Sequence, residues 1–531
     1  MSSQGSEPPA VMSANPKLRL VVTGQIGLLA MLGGVFRHAL NPDAVAYLRI
    51  ASYFSEGKFD LAISGYWGPL LSGLIGIGQQ CGLESLVSAR VVMGLSAVLF
   101  LWGSHQMFVA LQLPERWQFP GLILAALASA WWSVQFITPD LLFSALVLFA
   151  SSHMVREEWR NNYRAACLAG GFWGLAYLVK AIALPLGFLA IAVCCGRLVW
   201  ERKASWQAAL RSGGATLIVM VVIALPWVLT LSAKYGQLTF STAPPITHTL
   251  TGPPDKERYH PFARTFHQPP PGRITSWEEP SRMEYQRWSP WESWAYARHQ
   301  ILVLVKNGLT LAMLWTSLNL AALALVGLWL RQLLKSRGRS PYSDILWLPV
   351  CLAAIYLPCY FTFTEQRFFY LTLPLFFAGT VRWLAPEGLA ISRGRMWLVG
   401  LLVALPLLAQ VGLIQDRTAT AGRVAVQLAD RFRAAQIAGP LAGSANLPGG
   451  RTGLYLAFLL NQPWHGDKLA PTLEEIAASR ARYFVVRRAT PLAAQLQADA
   501  RLGGMDAMLF GTEEAAAHCP VQVFEILATG N

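Results

Sequence analysis

Carboxylates and cations recur in this sequence at the ends of long apolar runs, where hydrocarbon makes an idle charge costly. Asp43 follows Asn41-Pro42 just past the first run, Asp140 stands in Thr138-Pro139-Asp140 at the head of another, and Lys180 closes the stretch Gly174-Leu175-Ala176-Tyr177-Leu178-Val179-Lys180. Glu365 and Arg367 share a further boundary in Glu365-Gln366-Arg367-Phe368, and Arg90 opens the run that follows Ser88-Ala89. A carboxylate so placed can take a proton from a hydroxyl, and a group of cations can hold an anionic phosphate. Each residue also has a plainer reading. Asp43 suits a helix N-cap, Thr138 and Pro139 have the types favoured at N-cap and N1, and Lys180 is near enough to a run's end to snorkel. Two acids flanking one group of runs, with three cations beside them, is a less common coincidence than either cap alone.

The elements that must position these residues follow from composition. Of 531 residues, 54% are hydrophobic and only 14% are charged, against about 25% charged in soluble domains. The chain reads as a multi-pass membrane protein. Its formal charge of +14 is scattered through short loops and forms no stripe, which argues against nucleic acid as a partner. Most of the seven cysteines lie in or beside apolar runs, so a disulfide framework is not expected.

Eleven candidate spans follow: Leu20 to Phe36, Arg90 to Leu111, Pro120 to Phe136, Leu141 to Val155, Ala165 to Ala183, Leu184 to Trp200, Ala215 to Leu231, Val303 to Leu330, Ile345 to Phe361, Phe368 to Leu384 and Trp397 to Ile414. Four loops carry the basic residues, among them Arg156, Arg160 and Arg164, then Arg197, Arg202, Lys203 and Arg211, then Arg331, Lys335, Arg337 and Arg339, and lastly Arg393 and Arg395. The positive-inside rule puts these loops and the amino terminus in the cytoplasm and Asp43 outside, in what is expected to be a bacterial inner membrane. After Asp43, Val45, Leu48, Ala51 and Phe54 face away from Arg49, Ser52 and Glu56, the pattern of a helix lying at the interface.

Two segments depart from the span pattern. The stretch from Tyr235 to Gln300 is rich in Pro and Trp, and Trp277, Trp288, Trp291 and Trp294 read first as interfacial anchors. His248, His260 and His267 show no metal-ligand spacing. The tail alternates short apolar runs, with strands expected at Tyr483-Phe484-Val485-Val486 and Val521-Gln522-Val523-Phe524 and helices over Val424 to Gln436 and Leu473 to Arg480. It carries no phosphate loop or catalytic triad, which leaves a structural or acceptor-docking role. The division expected is 1–415 for the membrane part, containing a first outer loop at 38–89 and the insert at 235–302, and 416–531 for a small α/β domain outside the membrane.

Taken in order, these segments resemble the GT-C glycosyltransferases that use polyprenyl-phosphate sugars, among them the protein O-mannosyltransferases and the aminoarabinose transferase of lipid A. The resemblance rests on Asp43 soon after the first span with Tyr47 four residues on, the Trp67-Gly68-Pro69-Leu70 turn, Ser88-Ala89-Arg90, Thr138-Pro139-Asp140, Gly174 to Lys180, and Glu365-Gln366-Arg367-Phe368. It covers Leu18 to Ile414 and departs from the family at Ala44, where the mannosyltransferases have a second acid, and at Phe368, where a Tyr is usual. What it implies is a mainly α, multi-spanning GT-C-like fold and transfer of a sugar from a polyprenyl-phosphate donor to a glycan, lipid or protein hydroxyl. Asp43 would be the general base, and Asp140 would orient Asp43 or the acceptor, or hold a divalent cation. Lys180, Arg367 and Arg90 would receive the phosphate, with Glu365 and Tyr47 also at the substrate. The competing class is a transporter or flippase for a lipid-linked or anionic solute, for which an internal duplication is missing.

Overall fold

The computed structural model describes residues 16–256, 264–335, 342–359, 365–385, 392–414, 417–445 and 451–527. His260, Arg337, Arg339 and the domain boundary at Gln415 lie outside them. The membrane part is built from α1 (Pro16–Val35), then α2 (Pro42–Ser55) and α3 (Pro69–Gln80) in the first loop, and a bundle of α4 (Ser85–Ala110), α5 (Glu115–Gln135), α6 (Asp140–Val155), α7 (Tyr163–Val179), α8 (Ala183–Trp200) and α9 (Trp206–Tyr235). After the insert come α10 (Trp294–Leu318), α11 (Ala322–Lys335), α12 (Ser343–Cys359), α13 (Thr372–Leu384) and α14 (Arg393–Ile414). Of these, α1, α4, α8, α9 and α10 are each long and apolar enough by themselves to cross a membrane.

The expected run Val303 to Leu330 is two helices, α10 and α11, broken at Asn319-Leu320-Ala321. A break inside hydrocarbon must satisfy the freed backbone groups, and this one does. The Asn319 side chain accepts from the Ala321 amide at 2.8 Å and donates to Thr380 Oγ1 at 3.0 Å, while the Leu320 amide reaches the Leu402 carbonyl at 2.9 Å.

The interface helix expected after Asp43 is instead buried on almost every side. In α2, Ala44 through Leu48, Ile50, Ala51 and Tyr53 are all inaccessible, because α3 and α4 pack beneath it while a segment of the insert and α16 (Thr452–Leu460) of the tail cover it. Burying each Val, Leu or Ile side chain contributes about 1.5–3 kcal/mol, so α2 is fixed to the bundle as firmly as a span. At the far end of the bundle the basic loops meet one another. Arg197 pairs with Asp344, and Arg160 donates to the Lys203 carbonyl at 3.2 Å.

The tail opens with α15 (Arg417–Ala434) and forms one sheet with the insert. Strands β1 (Arg264–Phe266), β2 (Leu441–Ser444), β3 (Trp464–Lys468), β4 (Tyr483–Arg487), β5 (Leu502–Gly504) and β6 (Val521–Ile526) stand in the order β1-β3-β2-β4-β6-β5. The central pairs β2/β3 and β2/β4 are parallel; β4/β6, β5/β6 and β1/β3 are antiparallel. The insert therefore supplies an edge strand to the tail's sheet, pairing Arg264 with Lys468 and Phe266 with Gly466.

Candidate active site

Asp43 lies in the first turn of α2, with Asn41 as the N-cap. Its carboxylate does no capping. Oδ2 accepts from Arg367 Nη2 at 2.9 Å, and Oδ1 accepts from the Trp277 indole at 3.2 Å. Asn41 is engaged elsewhere, its side-chain oxygen accepting from the Ile137 amide at 2.9 Å. Asp140 likewise stands in the first turn of α6, where Pro139 and not Thr138 is the N-cap. It is 2% exposed and holds Lys180 Nζ at 2.5 Å on one oxygen and Arg367 Nε at 3.7 Å on the other.

Lys180 does not snorkel. It ends α7 in an extended conformation, and its ammonium turns inward onto Asp140 and over the Phe368 ring, 4.0 Å from the centroid. The Trp67-Gly68-Pro69-Leu70 turn sits against this end of α7. A Cβ on Gly68 would fall 2.3 Å from the Val179 carbonyl oxygen and 2.7 Å from that of Leu178, so only glycine lets the first loop come so close to the residue before Lys180. Arg367 lies on a short 3-10 turn (Gln366–Phe369) and is the hub, with Glu365 Oε2 also 2.5 Å from its Nε.

The electrostatics follow from this crowding. Burial opposes the charge on Arg367, but Asp43, Glu365 and Asp140 outweigh it and hold the guanidinium well above its ordinary pKa. Burial pushes the Glu365 carboxyl up, against the pull of Arg367. Tyr47, one turn beyond Asp43, is buried with its ring edge-on to Trp67 at 4.9 Å, and burial followed by the charges of Asp43 and Asp140 raises its hydroxyl far above the usual range.

Asp43, Asp140, Lys180, Glu365, Arg367 and Tyr47 thus come together, and Arg90 does not join them. Its guanidinium donates to backbone carbonyls, to Val134 at 2.9 Å and also to Ala39 and Ser133, tying the end of α5 to the start of the first loop. As for a divalent cation, the position among the three carboxylates is filled by the Arg367 guanidinium. No group of three or more His, Cys, Asp or Glu among the described residues is arranged to hold a metal. The site does not fit one.

Two contributions were not legible as functional. Trp277 and Trp288, grouped above with the anchors, are 5% and 4% exposed, whereas Trp291 and Trp294 are 91% and 78% exposed. Trp277 is held over Asp43 by its neighbours: its carbonyl accepts from the Trp67 indole at 2.8 Å, and the adjacent Glu278 takes the Tyr53 hydroxyl of α2 at 2.7 Å. Glu279 accepts from Lys234 at 2.8 Å and from the Tyr235 hydroxyl at 2.9 Å. Both glutamates are fully buried, and because glutamates are ordinarily exposed the acidic pair after Trp277 gave no signal in the sequence that this segment is packed. The second contribution is α16 of the tail, which packs on α2 and buries Tyr455 in the same core.

No family model and no curated protein matches the sequence. Solved structures do match. ArnT from Cupriavidus metallidurans bound to undecaprenyl phosphate is 15% identical with a TM-score of 0.52, over 97% of this chain and 99% of that one. The apo form of the Archaeoglobus fulgidus oligosaccharyltransferase is 12% identical with a TM-score of 0.51, over 89% of this chain and 69% of that one. The chain has the GT-C fold these two transferases share.

Proposed function

We propose that the protein is a membrane glycosyltransferase that moves a sugar from a polyprenyl-phosphate donor to an acceptor hydroxyl, with Asp43 as the general base. The observation that carries this reading is the buried cluster in which Asp43 meets Arg367, and Asp140 meets Lys180, at one end of the bundle. Displacement at the anomeric carbon deprotonates the acceptor, builds positive charge on the sugar and leaves negative charge on the departing phosphate. Asp43 takes the acceptor proton. Arg367 and Lys180 receive the phosphate, which competes for them with Glu365 and Asp140. That ArnT of the same fold binds undecaprenyl phosphate supports the donor class.

On this reading α10 and α11 form one broken crossing, so eleven crossings carry the chain, and with the basic loops inside, the cluster faces out of the cytoplasm. The odd count puts the tail on the same side as Asp43, which agrees with α16 packing onto α2. The division at 415/416 is retained, with the insert acting as a bridge between the two parts.

The test is Asp43→Asn. Purified protein is analysed by mass spectrometry for the polyprenyl-phosphate sugar it retains, and release of polyprenyl phosphate from that lipid is then followed. The amide keeps one oxygen, which can still accept from Arg367 in place of Oδ2 at the cost of the Trp277 contact, and takes no proton, so the variant should be abundant, bind donor and turn over at least about 100-fold more slowly. Retained turnover at equal protein level removes Asp43 from the base role.

A further inference from the structure

Among the three acids that crowd Arg367, Glu365 is the loosely held one. Asp140 is 2% exposed and fixed between Lys180 and Arg367, and Asp43 is 22% exposed and also held by the Trp277 indole. Glu365 is 41% exposed, and among the described residues its carboxylate pairs with Arg367 alone, Oε2 lying 2.5 Å from Nε. Local structure makes no demand on that carboxylate. Glu365 is the N-cap of the short turn that carries Arg367, yet its side chain caps nothing.

Charge singles it out as well. The cluster sets three carboxylates against Lys180 and Arg367, which leaves it net negative, and without Glu365 it is balanced. An anion approaching Arg367 therefore meets one carboxylate too many, and the most exposed of the three, with a single partner, is the one that moves at least cost. We infer that Glu365 occupies the place of the lipid phosphate in the empty protein, yields it when the donor binds, and returns to Arg367 to release the product. This role rests on the reading of Arg367 and Lys180 as the phosphate's partners. In the transfer, the electron pair of the bond between the anomeric carbon and the phosphate oxygen stays on that oxygen, the acceptor oxygen bonds the anomeric carbon, and the acceptor's proton passes to Asp43. The departing phosphate has then gained a negative charge and lost the contacts of its sugar. A carboxylate free to return to the guanidinium keeps so charged a product from holding the site.

Purified full-length protein in detergent is titrated with undecaprenyl phosphate and, separately, with undecaprenol, which has the same chain and no phosphate. Glu365→Gln removes the charge and keeps the shape, so it should tighten undecaprenyl phosphate about tenfold, the low end for a charge-assisted contact, and slow its dissociation in proportion, while undecaprenol binds as before. Glu365→Ala should act in the same direction. If Glu365 instead served to hold Arg367 in position, both variants would weaken undecaprenyl phosphate, and that result overturns the assignment. So does an unchanged affinity, or equal tightening of the phosphate and the alcohol. A wild-type protein that binds the two lipids alike would remove the phosphate site itself, and the role of Glu365 with it.

Discussion

The Lys180–Asp140 pair offers the sharpest test of how the site is held together. Lys180 is 15% exposed and Asp140 2% exposed, and they are 2.5 Å apart. Removing one member of a buried pair costs about 3–5 kcal/mol, mostly because a charge is left uncompensated. For Lys180→Gln the cost should be smaller, about 2–3 kcal/mol, since Arg367 still lies 3.7 Å from Asp140. For Asp140→Asn the full range applies, because the ammonium is stranded beside a second cation. Combining the two replaces an ion pair by two amides, and the net loss should shrink to about 1 kcal/mol, a coupling of several kcal/mol. Unfolding of all four proteins in one detergent, with matched thermal melts, closes the cycle. Undecaprenyl phosphate binding separates stability from function, because the double variant should regain the fold and still bind the phosphate weakly. Additive losses, or stabilisation by Lys180→Gln alone, would refute the structural reasoning.

Three further outcomes are expected. Trp277→Phe keeps an aromatic ring but removes the donor to Asp43, so kcat/KM should fall about 10-fold, the low end for a hydrogen bond to a charged group; an undiminished kcat/KM means the indole does not act on Asp43. Gly68→Ala forces a methyl against the Val179 carbonyl and should destabilise by about 1–3 kcal/mol, visible as a lower melting temperature, whereas an unchanged melt shows that the turn has room. At the junction of insert and tail, the His267 amide donates to the His465 carbonyl at 2.7 Å, and burial pushes both imidazoles below the usual 6.5, opposed by Glu284 at His267 and by the Ser479 carbonyl at His465. Each binds its proton more weakly folded than unfolded, so their contribution is complete above pH 6.5 and is lost as pH falls through the lower folded values. Hydrogen exchange of β1 and β3, corrected for intrinsic rate, should be faster at about pH 5 than at pH 7.5, and equal protection would count against this.

What was legible in the sequence was the charge that hydrocarbon penalises. Asp43, Asp140, Lys180 and Arg367 stand out because span ends have little use for them, and the structure gathers them. Arg90 has the same sequence signature and a different task, since an arginine binding backbone carbonyls and one binding phosphate differ only in what folds around them. The burial of α2 was hidden because its covers come from Trp277 and Tyr455, more than 200 positions away. A Trp near a membrane reads as an anchor by default, which fits the exposure of Trp291 and misjudges Trp277. The break in the run Val303 to Leu330 had one polar clue, Asn319, whose partner Thr380 cannot be named before the fold is known.

Because β1 leaves the ribosome about 200 residues before the strand it pairs with, the molecule has a built-in order of assembly. While the later helices are still being made, the segment carrying Trp277 has one anchored end, on Tyr53 and Lys234, and one loose end. Its second attachment waits for β3, and the cover that α16 lays over α2 waits as long. Non-local pairing of this kind is slow to form, so a chain stopped after its last apolar helix would carry every charged residue of the cluster, and Trp277 beside Asp43, yet lack the cover that α16 lays over α2. The cover over α2 is therefore among the last contacts the nascent protein acquires.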